Sequence, residues 1–330
     1  MNKNKTTREN LRIIFLGTPE FAVEPLRTLV ENDYNVVAVI TMPDKPGGRG
    51  YKIQPSPIKK YAVENDLKLL QPENLKDEQF LSELRDLKAD LQVVVAFRML
   101  PEVVWNMPSK GTFNLHSSLL PQYRGAAPIN WAIMNGENET GVTTFFLSHE
   151  IDTGEIIFRE KTEISETDNA ESLHDRLMVM GAKLVRKTVD AIIENNISPI
   201  PQSELINENS LLKQAPKIFK DTCRIDWNKN SKELYNFIRG LSPYPAAWTL
   251  FVNSEGEQFR FKIFSSEKLE STKENRLPPG TIKSDNKTFI DVAVKDGFLR
   301  LIDIQMSGKK RMNVIDLLNG FSIEEKSRFH

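Results

Sequence analysis

Three nearly continuous apolar runs constrain the fold of this 330-residue chain more than any other feature. They are Leu11–Leu16, Val36–Thr41 and Leu91–Phe97. A strand with one wet face alternates apolar and polar residues, whereas a strand covered on both faces reads as an unbroken apolar run. Helix signals fall between the runs. Thr18-Pro19 reads as an N-cap followed by a first helical proline, and Ser56-Pro57 opens a second helix. Asp77–Lys88 has helical periodicity, and Lys68–Leu70 is a short strand. Strands alternating with helices in this way predict a parallel sheet covered on both faces. A helix over Ala126–Asn135, strands over Val142–Leu147 and Glu155–Ile164, and a long amphipathic helix over Asn169–Asn195 complete this part.

From Ala247 onward the pattern changes. Trp248–Val252, Phe259–Phe264, Thr288–Val294 and Phe298–Ile304 are short strands at hairpin spacing, which predicts a small antiparallel barrel. The expected layout is a disordered polar lead over 1–10, a catalytic domain over 11–196, a linker over 197–209 with two prolines, and a second domain over 210–330. Charge divides along the chain. Residues 1–205 carry 23 basic against 29 acidic residues, and residues 206–330 carry 21 against 16. The basic excess in the second part suits a polyanionic partner. The single cysteine, Cys223, excludes an intrachain disulfide and a cysteine-rich metal cage, so no metal is expected. No signal peptide and no apolar run long enough for a membrane span are evident, and a cytoplasmic location is expected.

The stretch from Gly111 to Gly125 carries the most chemistry. Asn114 and His116 lie two apart on a predicted strand, so both side chains point to one face. Packing gives no reason for that pair, whereas chemistry does: a neutral donor beside a group that titrates near neutrality. Asp152 lies in Ile151-Asp152-Thr153-Gly154-Glu155. An Asp-Thr-Gly of this kind resembles the aspartic protease loop, but that mechanism needs two carboxylates and the chain has one copy. The alternative is that Asp152 orients and polarises His116. Residues 43–57 form a long loop rich in Pro and Gly, with Lys45, Arg49 and Lys52, suited to clamping phosphates. Gly17 alone, without a G-x-G-x-x-G pattern, does not make a dinucleotide site.

Together these motifs carry a specific resemblance, running from Leu11 nearly to the C-terminus. It rests on Arg12–Phe21, Pro43–Gly50, Gln54–Lys59, Asn114–Pro121, Tyr123–Ile129, Glu139–Thr143 and Asp152–Glu155, and later on Arg224–Trp227, Pro243–Trp248 and Gly308–Met312. The chain resembles the methionyl-tRNA formyltransferases, within the formyltetrahydrofolate-using superfamily. The resemblance implies a Rossmann-like N-terminal domain and a C-terminal barrel of OB type, in agreement with the strand pattern. It implies formyl transfer from 10-formyltetrahydrofolate to the methionine amino group of initiator methionyl-tRNA, by a monomer. By match to the family motif, Asn114, His116 and Asp152 form the catalytic set. Ser118, Leu119, Leu120, Pro121 and Phe97 would line the folate site. Lys45, Arg49 and Lys52, with Lys309, Lys310 and Arg311 in the second domain, would meet the tRNA.

The chemistry agrees with that implication. An amine attacking a formyl carbon builds negative charge on oxygen. The Asn114 amide and a protonated His116 can donate to it, while Asp152 holds the ring and relays the amine's proton. No covalent enzyme intermediate is needed. The superfamily siblings act on amino sugars or a glycinamide ribonucleotide, or hydrolyse the folate. The basic loop and basic second domain favour tRNA over such small acceptors. The chain also departs from the family. Ser117 stands where Gly is common, and Phe97-Arg98-Met99-Leu100-Pro101 replaces a Tyr-Gly-x-Ile-Leu-Pro that is one residue longer.

Overall fold

A computed structural model describes residues 7–47, 52–206, 211–269 and 277–330 of the chain. These divide into two compact units: residues up to 125 with 140–163 and 174–214, and residues 126–139, 164–173 and 215–330.

The first unit is built on a seven-stranded sheet. In chain order its strands are β1 (Ile13–Gly17), β2 (Val36–Ile40), β5 (Leu69–Leu70), β6 (Leu91–Val95), β7 (Thr112–His116), β8 (Glu139–Phe146) and β9 (Ile156–Glu163). The spatial order is β9-β8-β7-β6-β1-β2-β5. The five strands from β7 to β5 are parallel, with Ile13 beside Leu91 and Val95 beside Leu115. Strand β8 runs antiparallel to β7, pairing His116 with Thr143. The direction of chain progression reverses between β1 and β6. In open α/β sheets the crevice at such a reversal is where ligands bind. Phe97 lies two residues beyond β6.

The continuous apolar runs are explained by cover on both faces. Ile14, Leu16, Ala38, Ile40 and Val94 pack with Phe80, Leu81 and Leu84 of α3 (Glu78–Asp86) and Val104 of α4 (Glu102–Trp105). On β7, the alternate residue Leu115 rests against Gly181 of the long helix α6 (Ala170–Ile193). Helix α2 (Pro57–Glu64) opens at Ser56-Pro57 as the sequence predicts, with Ser56 accepting the Lys59 N–H, and Asp77 caps α3 by accepting the N–H of Phe80.

Three expectations are corrected. Thr18 caps no helix: a 3₁₀ turn over Glu20–Ala22 precedes α1 (Val23–Val30), and neither has a side-chain cap. The Thr18 hydroxyl instead lies 3.5 Å from that of Thr41. The polar lead is fixed from Thr7, because Arg8 grips Asp190 with two nitrogens at 3.1 and 3.0 Å. Residues 197–206, read as a linker, are folded into the first unit. Between its two prolines, Ile200 exchanges backbone hydrogen bonds with Ile156.

The second unit is an antiparallel sheet closed into an OB-like barrel. Its strands are β10 (Ala247–Val252), β11 (Gln258–Lys268), β12 (Ile282–Ser284), β13 (Ile290–Val294), β14 (Gly297–Met306), the short β15 (Met312–Asn313) beside β14, and β16 (Arg328–Phe329). The order β12-β13-β14-β11-β10-β16 returns on itself, since Thr281 bridges to Arg328. The Phe329 N–H donates to Gly280 O at 2.9 Å. Closure rests on burial more than on that bond. Phe329 is 1% exposed and packs on Phe251, Phe261 and Trp227. Burying such a ring contributes roughly 1.5–3 kcal/mol, against about 1 kcal/mol net for a hydrogen bond. Helix α7 (Ser231–Gly240) begins with an Asn230–Glu233 capping box and turns Leu234 and Ile238 into the barrel core. No helix among the described residues is long and apolar enough to cross a membrane.

Gly280 is required at the closing point. Its φ is +85°, and a Cβ there would stand 2.2 Å from Phe329 O. Gly280→Ala should lower unfolding stability by ~3 kcal/mol. Urea unfolding followed by tryptophan fluorescence measures this, and an unchanged midpoint would contradict the closure described.

Candidate active site

Strand β7 places Thr112, Asn114 and His116 on one face, with Phe113 and Leu115 buried on the other. The pleat therefore brings Asn114 and His116 together as their spacing predicts. His116 is buried, and its Nε2 lies 2.9 Å from Tyr123 O. A carbonyl oxygen can only accept, so Nε2 carries a proton and donates it, which leaves Nδ1 as the ring atom turned toward the rest of the site. Nδ1 faces Asp152 Oδ2 at 3.9 Å. That gap is too wide for a direct hydrogen bond.

Asp152 reaches this place through an unusual backbone. Its φ is 56°, a left-handed conformation that Asp tolerates better than most residues. Oδ2 accepts the N–H of Gly125 at 2.9 Å. Gln202, 3% exposed, donates from Nε2 to both Asp152 O and Gly154 O at 2.9 Å. Arg124 in turn donates from Nη2 and Nε to Gln202 Oε1, at 2.6 and 3.1 Å. Thus Tyr123, Arg124 and Gly125 each hold a different member: the imidazole, the glutamine and the carboxylate. Gly154 is required by space alone, since a Cβ would stand 1.7 Å from Phe146 O.

Asn114 is half-buried, and its Oδ1 is buried without a hydrogen-bond partner among the described residues. An unmet buried polar atom costs about 1–3 kcal/mol. The two ends of a side-chain amide have nearly the same shape, and the partner decides which one faces it. Such an orphan can be met by a polar group that a ligand brings to the site.

The turn after β7 is rigidly bonded. Ser118 Oγ donates to Gln122 O at 2.7 Å, and Thr143 Oγ1 donates to Ser118 O at 2.6 Å while accepting the Leu120 N–H at 3.2 Å. Arg159 donates to Leu120 O at 3.0 Å. Ser118, Leu120 and Pro121 are buried, and Leu119 is half-buried. Phe97 is half-buried at the end of β6 and packs into the core of α3 and α4. Beside it, Arg98 donates to Pro72 O and Glu73 O, and burial pushes its guanidinium pKa down.

The basic residues are distributed differently. Lys45 and Lys52 lie on a two-stranded ribbon, β3 (Lys45–Gly47) with β4 (Lys52–Gln54), and Arg49 lies outside the described residues. Lys309, Lys310 and Arg311 are exposed in the second unit. Arg311 is paired with Asp303 and lies over the Phe264 ring at 4.3 Å. The lone cysteine, Cys223, is buried in that unit, and burial pushes its thiol pKa up.

Residues 11–189 match the formyl transferase family, and residues 217–322 match the formyl transferase C-terminal domain. The chain belongs to the formyl transferase family. A methionyl-tRNA formyltransferase of Parabacteroides distasonis is 62% identical over 315 residues, covering 95% of this chain and 97% of the relative. One from Porphyromonas gingivalis is 50% identical over 316 residues, covering 96% and 97%. Among solved structures, the sugar 3N-formyl transferase WlaRD, determined with dTDP and 5-N-formyl-THF, superposes with a TM-score of 0.61 at 21% identity, covering 91% of this chain and 99% of its own. HypX of Aquifex aeolicus in complex with tetrahydrofolic acid gives 0.60 at 19% identity, covering 95% of this chain, which spans only 48% of HypX. At these identities the structural likeness concerns the fold.

Sequence reasoning missed Gln202, Arg124 and Thr143 as parts of the site. Gln202 gives no local signal, because it lies between proline punctuation and a polar stretch. Arg124 was visible only as part of the Tyr-Arg-Gly motif.

Gln202→Leu removes the bonds to Asp152 O and Gly154 O. Turnover should fall on the order of tenfold or more, with the thermal midpoint shifted by only a few degrees. Steady-state kinetics beside a melt separates the two effects, and turnover unchanged from wild type would dismiss this support.

Proposed function

We infer that this protein transfers the formyl group of 10-formyltetrahydrofolate to the methionine amino group of initiator methionyl-tRNA, as a cytoplasmic monomer serving translation initiation. The observation that carries the reading is the unmet Asn114 amide beside a His116–Asp152 pair with an open gap. Relatives named for this activity at up to 62% identity over nearly the whole chain support it.

The folate co-substrate supplies an activated formyl group. The residues present fit it, because the buried amide end of Asn114 lacks a partner and needs one polar atom. With its NH₂ end turned to the formyl oxygen, Asn114 donates to the negative charge that builds there. One such donor is worth about 3–4 kcal/mol. An attacking amine seated beside His116 Nδ1 and Asp152 Oδ2, which stand 3.9 Å apart, can touch both. Nδ1 takes the proton the amine gives up as its nitrogen bonds to the formyl carbon. Asp152 steadies the charged ring, and the ring returns the proton to the departing nitrogen. The Ser118–Pro121 turn and Phe97 bound the folate site, with the turn held in shape by Thr143 and Arg159. Lys45 and Lys52 of the ribbon, together with Arg49, and Lys309, Lys310 and Arg311 of the second unit meet tRNA phosphates.

The deciding assay offers 10-formyltetrahydrofolate with charged initiator tRNA, elongator methionyl-tRNA and free amino sugars in parallel. Formylation of the initiator alone is expected; formylation of only a small amine would move the chain to a sugar-acting sibling. Asn114→Ala should lower kcat/KM by roughly 10²–10³-fold with folate binding largely kept. Asp152→Ala should fold and bind tRNA but transfer little. Binding of tRNA should weaken steeply between about 50 and 200 mM salt as counterion release is lost, and a flat titration would refute the electrostatic contact. Arg49→Ala should raise the KM for tRNA and spare that for folate.

A further inference from the structure

The His116 ring is held from behind by the carbonyl oxygen of Tyr123, 2.9 Å from Nε2. The backbone that presents this oxygen is itself unusual. Tyr123 has a φ of 59°, in the left-handed region, and is 5% exposed. A bulky residue keeps such a conformation only where its surroundings impose it. The peptide leaving Tyr123 runs to Gly125, whose N–H is tied to Asp152 Oδ2 at 2.9 Å. The peptide entering it is held at both ends. Its carbonyl, Gln122 O, accepts the Ser118 hydroxyl at 2.7 Å, and its N–H donates to Lys213 O at 2.7 Å. A peptide plane held by one bond can rotate about that bond, whereas two bonds on opposite edges fix it.

The acceptor at residue 213 is distant in sequence, and one side chain keeps it in place. Gln122 Oε1 accepts the Lys213 N–H at 2.8 Å, and Gln122 Nε2 donates to Leu211 O at 3.2 Å. One partner donates and the other accepts, so both ends of the amide are used and its orientation is fixed. With the Tyr123 N–H, three hydrogen bonds from two adjacent residues grip the short segment 211–213. All of these residues belong to the first unit. The formyl-transfer steps use neither Gln122 nor this segment.

We propose that Gln122 is a positioning residue for His116: by gripping residues 211–213 it keeps Lys213 O on the Tyr123 N–H, and so keeps the Tyr123 carbonyl on Nε2. The proposal rests on the reading that His116 Nδ1 takes and returns the proton in formyl transfer. Without the grip, the peptide entering Tyr123 can turn, φ relaxes toward ordinary negative values, and the carbonyl leaves the ring. The neutral imidazole is then free to carry its proton on Nδ1, where it has no lone pair for the amine. Folate and tRNA still meet the same surfaces. The defect therefore falls on kcat and not on either KM.

The test pairs steady-state formylation of methionyl-tRNA with the ring nitrogen shifts of His116, read by NMR of the full-length protein labelled with 15N-histidine. The signal is assigned by its loss in His116→Asn, and the spectra are taken at a pH where an ordinary imidazole is neutral. The variants are Gln122→Met, which keeps the length but neither bond, Gln122→Glu, which keeps an acceptor for the Lys213 N–H, and Leu211→Ala. The Leu211 side chain is 79% exposed and its carbonyl survives the change, so that variant should match wild type in both readouts. In Gln122→Met, kcat should fall on the order of tenfold, with both KM values within about twofold. Its His116 ring should change from the Nε2–H form to a mixture of tautomers. Gln122→Glu should fall between Gln122→Met and wild type. An unchanged kcat in Gln122→Met, or a lowered kcat with the tautomer unmoved, would overturn the proposal. So would an equal loss in Leu211→Ala, which would mark general damage to the segment. If the wild-type protein formylates no methionyl-tRNA, the functional reading fails, while the tautomer in Gln122→Met still decides whether Gln122 positions the ring.

Discussion

The carboxylate of Asp152 is the group on which the arrangement at the site depends, and it is held by one backbone donor and one buried side chain. Its oxygen takes the Gly125 N–H, and its own carbonyl is taken by Gln202. Its φ is 56°, and the glycine two residues later passes close against Phe146 O. A carboxylate fixed in this way cannot follow the imidazole, so the 3.9 Å separation is set by the fold.

The fold supplies this geometry through the change of sense at β7. Its parallel partner β6 ties it to the central sheet, and its antiparallel partner β8 supplies Thr143 beneath the turn. The far face of β7 is closed by Leu115 against Gly181 of α6, where a Cβ would stand 2.6 Å from the leucine. The strand is therefore gripped on two edges and one face. Only the face bearing Asn114 and His116 is left for chemistry.

Much of this was legible in the sequence because it follows from periodicity. The apolar runs of β1, β2 and β6 could only be strands covered on both sides, and Asn114 and His116 share a face because a strand has period two. The four barrel strands were visible from their turns. What could not be read depends on distant partners. Gln202 is an ordinary polar residue until the chain folds it over Asp152. Ile200 sits between prolines that read as a linker, yet its backbone pairs with Ile156. Thr18 has the composition of a cap, but its hydroxyl lies beside Thr41 on the neighbouring strand and a 3₁₀ turn over Glu20–Ala22 intervenes before the helix. The antiparallel edge of the sheet was likewise invisible, because an apolar strand carries no mark of direction.

The partner of His116 Nε2 has a consequence for how the ring behaves as a reagent. Tyr123 contributes a backbone carbonyl, which neither gains nor loses a proton across the range in which enzymes work. A carboxylate or hydroxyl in its place would allow the ring to shuttle a proton out through its rear edge. Here the rear edge is sealed, and every proton that enters or leaves the imidazole does so through Nδ1. The ring is a single-port device, and its one port opens on the space that Asp152 overlooks.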